Sequence, residues 1–183
     1  MTRAFTLIEI IIVIAISTLM LLALTLLIYT FGNTSTYEQA SLQSSGSARA
    51  VIREAEALVL PADAVLQTYT FSSGATYTST STSLVLELPS IDSSGNSIPN
   101  AHDYAAFYVV GTDAYRLLQT DASSARTPGT KLLSTTIQSL TFTYNNADFT
   151  KVSSTTIDVQ TQASVKQNVL TDHLREQLML RNY

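Results

Sequence analysis

Between Ile10 and Phe31 the chain carries no charged residue, and the run is almost entirely Ile, Leu, Val, Ala and Met broken by hydroxyl side chains. About 20 such residues are enough to cross a bilayer. Hydrocarbon offers no partner to a backbone N–H or C=O, so a helix is the spanning structure such a segment adopts. Ser17, Thr18 and Thr25 are compatible with it, because their hydroxyls bond back to carbonyls one turn earlier. Arg3 precedes the run and the bulk of the chain follows it. The bias of basic residues toward the cytoplasmic side therefore puts Met1 inside and the C-terminal part outside.

A secretory signal peptide would need a shorter apolar core followed by a small-residue cleavage site. Here the core is too long, no such site follows it, and Glu9 stands at its head. A carboxylate at mid-helix costs about 2.5–3.5 kcal/mol on insertion scales and less near an interface, so an anchor by itself gains nothing from keeping one. An ionisable residue at this place is read as functional.

The run Ala4-Phe5-Thr6-Leu7-Ile8-Glu9-Ile10, followed by the apolar helix, resembles the signature of type IV prepilins and the pseudopilins of secretion and competence machines. The resemblance implies that a membrane-embedded prepilin peptidase removes residues 1–4 and methylates the new amino terminus, Phe5. It also implies that Glu9 pairs with the amine of a neighbouring subunit during assembly, with Phe5 and Glu9 carrying the docking. Ala4 stands where the family usually has Gly. The span also lacks the helix-bending proline common in major pilins, so no kink is expected there. The implied partners are other pilin or pseudopilin subunits, the peptidase, the membrane and an assembly platform protein. The implied location is the inner membrane, then a filament at the cell surface.

Beyond the span, Ala48, Val51, Ile52, Ala55, Leu58 and Val59 recur at spacings of three and four, which predicts an amphipathic helix ended by Pro61. The Ser-, Thr- and Asn-rich segment Gly32 to Gly46 predicts a bend or frayed turn between the two helical halves. After Pro61 the pattern turns to strands over Ala64–Phe71 and Ser83–Leu88, the second closed by Pro89. Asp92 to Asn96 reads as a turn. Tyr104–Val110 and Ala114–Thr120 flank a three-residue hairpin loop, Gly111-Thr112-Asp113. Further strands are expected over Ile137–Tyr144 and Thr155–Val165, the latter with Ile157, Val159, Thr161, Ala163 and Val165 on one face. Leu170–Arg181 fits either a helix or a strand by spacing. Its resemblance to the ends of minor pilins of the W and J types favours a strand.

The expected fold is thus α+β and pilin-like: a leader (1–4), a transmembrane half-helix (5–31), an amphipathic half-helix (32–60) and an antiparallel β-rich extracytoplasmic domain (61–183). No enzyme is expected. The formal charge is −4 with no basic block, so nucleic acid is not a predicted partner, and without cysteine there are no disulfides or thiolate sites. His102 and His173 show no metal or nucleophile spacing and read as lone exposed side chains. Asp92 to Asn96 supplies one carboxylate where calcium wants six to eight oxygens, so neither a metal nor a cofactor is expected. The Thr- and Tyr-rich tract Gln67–Ser83 reads as an exposed edge hairpin, with a ligand-contacting or glycosylated loop as the competing reading. Tyr104, Phe107, Tyr108 and Tyr115 read as core rings, with a binding face as the alternative. The functional expectation is a minor pilin or pseudopilin. The rival from another class is a membrane-anchored adhesin or receptor that does not polymerise, and a hydrolase lacks any visible nucleophile site.

Overall fold

The computed structural model describes residues 6–165 and 168–181. Helix α1 (Leu7–Val59) opens the chain. It is followed by β1 (Ala64–Val65), β2 (Thr68–Thr70), β3 (Thr76–Thr78), β4 (Leu84–Ile91), β5 (Ser97–Val110), β6 (Asp113–Gln119) and β7 (Gly129–Ser134). Then come β8 (Ile137–Tyr144), a short 3-10 turn (Phe149–Lys151), β9 (Ser154–Val165) and β10 (Asn168–Met179). The fold is α+β, as expected, and its strand pairings are antiparallel.

The chain divides into two compact units, residues 1–40 and 41–183, with the boundary inside α1. In the first, the side chains from Thr6 to Phe31 are exposed, and the segment is long and apolar enough to span a membrane. The hydroxyls of Thr18 and Thr25 donate to the carbonyls of Ile14 (2.7 Å) and Leu21 (2.8 Å), so they add no unpaired donor to an apolar surface. The frayed turn expected between Gly32 and Gly46 is absent, because every residue there is helical. Extending an existing helix needs no new nucleus, so weak formers flanked by strong ones are carried along.

In the second unit the order β1-β4-β5-β6-β7 makes one sheet, β10-β9-β8 another, and β2-β3 a separate hairpin. The helical stripe Ala48, Val51, Ile52, Ala55, Leu58 and Val59 is buried as its spacing predicts. It shares one core with Leu84, Leu86 and Phe107 of the larger sheet and with Phe142, Ile157 and Val159 of the smaller. Each large aliphatic side chain so buried contributes about 1.5–3 kcal/mol. The one polar member of the stripe, Ser44, is satisfied by Thr161 of β9: the hydroxyls lie 2.8 Å apart, and Thr161 also donates to the Ser44 carbonyl at 3.0 Å. On the other flank, Glu54 takes Lys131 at 2.6 Å and Arg116 at 3.4 Å, tying the helix to β7 and β6.

Several boundaries differ from the sequence reading. The run Ala64–Phe71 is split: the chain leaves the large sheet after Val65 and folds back on itself as β2-β3. Pro89 does not close β4, which continues to Ile91 through a register shift, a place where a residue without an N–H is tolerated. The β5–β6 loop is two residues, Gly111-Thr112, closed by the Val110–Asp113 pair. Gly111 has φ +64 while Thr112 does not go positive, which is the type II′ pattern whose twist matches the strands. The C-terminal segment is a strand, paired without interruption from Asn168–Val165 to Met179–Ser154.

An inward-facing charge on β5 organises the long β6–β7 connection. Asp103 is fully buried and accepts from Ser90 Oγ (2.7 Å), Asp121 N–H (2.9 Å), Ser124 Oγ (2.7 Å) and Arg126 Nη1 (2.7 Å). Arg126 also donates to the Pro89 carbonyl at 2.5 Å. Burial pushes the Asp103 carboxyl upward, but Arg126 and the other donors outweigh it and hold the group below the ordinary carboxylate range. Asp103→Ala should destabilise the domain by about 3 kcal/mol, since it removes the carboxylate from the half-buried Arg126, which keeps only the Pro89 carbonyl, and leaves the donors of Ser90, Ser124 and Asp121 without their acceptor. The stabilisation should be complete above about pH 4 and lost as pH falls through the lowered folded value. Urea unfolding of the full chain in detergent, compared with Asp103→Asn across pH, checks both; a pH-independent difference would refute the titration.

Candidate functional site

The head of α1 holds the residue singled out from the sequence. Thr6 precedes the first helical residue, and Glu9 sits in the first turn. The Thr6 N–H and hydroxyl donate to Glu9 Oε2 at 2.8 and 2.9 Å, and the Glu9 N–H donates to the Thr6 hydroxyl at 3.4 Å. This is a reciprocal capping box: a Thr at the cap and a Glu three residues on satisfy each other's backbone donors. The helix dipole favours the carboxylate at this end as well. A local reason for Glu9 therefore exists that the sequence reading missed, although the pattern Thr-x-x-Glu before an apolar run was legible. Both bonds to the carboxylate fall on Oε2. Around Glu9 the surface is apolar, with Ile10, Val13 and Ile14 exposed beside it. Ala4 and Phe5, assigned to cleavage, methylation and docking, lie outside the described residues.

The other candidates are dispersed. His102 is exposed but not alone, since its Nδ1 lies 3.2 Å from Glu87 and 3.5 Å from Asp63. His173 Nε2 lies 2.7 Å from Asp158. Asp92 spends its carboxylate on its own turn, accepting from the N–H groups of Ser94 (2.8 Å) and Asn96 (2.9 Å). Those backbone bonds, Asn96 first, hold its carboxyl below the usual range.

The tract Gln67–Ser83 forms the β2-β3 hairpin, with Thr68–Thr78 and Thr70–Thr76 hydroxyl pairs (3.0 and 2.9 Å) on its exposed face. Its other face packs Phe71 against Val85 and Ala106 on the outside of the large sheet. The rings expected together are divided by strand alternation. Phe107 is in the core, while Tyr104, Tyr108 and Tyr115 are half-buried on the outer face. There Tyr69 stacks on Tyr104 at 3.9 Å, and Tyr108 lies between Tyr77 (4.6 Å) and Tyr115 (5.5 Å). Burial and the neighbouring Tyr77 push the Tyr108 hydroxyl up to about 12. These rings mostly cover one another.

No protein-family model, curated protein or solved structure matches this chain. At the head of the helix an exposed apolar surface and a carboxylate coincide. Thr6→Val should weaken the helix start by about 0.5–2 kcal/mol while Thr6→Ser preserves it. Amide exchange at Leu7 to Glu9 in detergent micelles reads the difference, and equal protection in both variants would contradict the capping role.

Proposed function

We propose that the chain is a structural subunit of a type IV-like filament, of the minor-pilin or pseudopilin kind, acting by contacts and not by catalytic turnover. The observation that supports this most is the exposed, charge-free helical surface Ile10 to Phe31 headed by Glu9. Such a surface needs lipid or other helices around it. The antiparallel sheets that bury the stripe after Ser41 add the pilin-like architecture the resemblance implies. In this reading a prepilin peptidase cuts after Ala4, Phe5 becomes the amino terminus, and the helix waits in the cytoplasmic membrane with the β-rich domain outside. On assembly the platform protein hands the subunit to the growing filament. Glu9 then exchanges part of its cap for the amine of a neighbour, a pairing that fixes register because an unpaired charge in low dielectric costs several kcal/mol.

The capping box also favours a second reading, a membrane-anchored adhesin or receptor that does not polymerise, because it gives Glu9 a role needing no partner. Intact-mass measurement separates the two: loss of residues 1–4 with a methylated Phe5 fits the filament subunit, and their retention fits the anchor. Glu9→Ala should leave the protein processed and membrane-bound yet sharply reduce its recovery in sheared surface filaments. Undiminished recovery would rule out the docking role.

A further inference from the structure

The outer face of the larger sheet gathers the side chains of this chain that lose an electron most readily. There is no cysteine and no tryptophan, and the three methionines react by gaining an oxygen atom and not by electron loss. One-electron oxidation therefore comes to rest on tyrosine. Of the nine tyrosines, Tyr69, Tyr77, Tyr104, Tyr108 and Tyr115 lie together on that face or on the hairpin that covers it.

One pair is set apart by its geometry. Tyr69 of β2 and Tyr104 of β5 stack with ring centroids 3.9 Å apart and planes 14° from parallel. The Tyr77–Tyr108 and Tyr108–Tyr115 contacts are wider, 4.6 and 5.5 Å. Tyr69 is also held in place. Gln119 Nε2 donates to its hydroxyl at 3.1 Å, Gln119 Oε1 accepts the Ser72 N–H at 2.6 Å, and Phe71 meets the ring edge-on at 5.0 Å. Carbons of the two tyrosine rings thus already sit near van der Waals contact, a near-attack arrangement that removes much of the entropic barrier to joining them. Both rings are half-buried, so a small oxidant reaches them while the rings of a second chain are kept at a distance.

We infer that Tyr69 and Tyr104 form an oxidative cross-linking site, coupled by a peroxide-driven one-electron oxidant into a dityrosine that staples the β2-β3 hairpin to the larger sheet. Each ring gives up one electron and its phenolic proton. The two phenoxyl radicals join through their Cε carbons, and the two ring protons displaced there move to the oxygens, restoring both hydroxyls. One hydrogen peroxide takes up the two electrons and two protons and leaves as two waters. The place suits a staple: among the described residues the hairpin shares no strand pairing with the other sheets, and no disulfide is possible in this chain. A covalent tie between β2 and β5 also restricts the unfolded chain, as a disulfide would. Neither the stacked rings nor their chemistry requires the chain to polymerise.

The test is oxidation of the dilute full-length chain in detergent with hydrogen peroxide and a haem peptide small enough to reach a half-buried ring. Cleavage after Glu87 and Arg116 should release a linked peptide carrying Tyr69 and Tyr104, two hydrogens lighter than the sum of its parts and fluorescent as dityrosine. Tyr69→Phe and Tyr104→Phe keep the stacked rings and should each abolish that peptide, whereas Tyr108→Phe should leave its yield unchanged. Amide exchange across Thr68–Thr70 and Thr76–Thr78 should slow several-fold in the coupled protein. The site would be overturned by absence of the linked peptide, by its persistence in Tyr69→Phe or Tyr104→Phe, by coupling spread evenly over the other tyrosines, or by links between chains alone. Unchanged exchange in the coupled protein would overturn its role as a staple.

Discussion

Two sheets that share no strand pairing are held in one core by a single helical stripe, and the rest of the domain depends on that joint. From Ser44 to Val59 the helix presents a buried surface to Leu84, Leu86 and Phe107 on one side and to Phe142, Ile157 and Val159 on the other. The stripe is fixed at its start by the Ser44–Thr161 hydroxyl pair and on its flank by Glu54 between Arg116 and Lys131. Apolar contact supplies most of the stabilisation, but it is non-directional. The polar links set the rotation and register at which the helix sits on the two sheets.

Features governed by local periodicity were legible in the sequence. The three-and-four spacing of Ala48 to Val59 marked the buried stripe, and the alternation from Ile157 to Val165 marked the inward face of β9. Where the reading failed, a longer-range term decided. The segment Gly32–Gly46 is poor in helix formers yet helical, because cooperativity overrides local propensity. β4 passes through Pro89 because the register shifts there. The aromatic residues looked like one group, but alternation sends Phe107 inward and its neighbours Tyr104 and Tyr108 outward or to the rim.

At the candidate site Glu9 was visible as an anomaly, a charge at the edge of an apolar run. Its bonds to Thr6 are a local matter of capping, which the cost of a carboxylate beside an apolar run does not reveal. Asp103 was missed for a related reason. It shares the inward face of β5 with Ala105 and Phe107, a position where a lone acid looks like an error until Arg126 and its serines arrive from more than twenty residues downstream or a dozen upstream. Pairing at such separation leaves no periodic trace.

Little of the pairing in the two sheets is remote in sequence. From β4 to β7 and again from β8 to β10, every strand lies beside its immediate successor in the chain. Loop-closure entropy is therefore met in small steps, and such low contact order belongs to quick folding. Each meander can zip up as soon as its own segment is available, without waiting for the other. Only the two-residue β1 pairs out of turn, so the slow event left over is the seating of both finished meanders on the helix that precedes them.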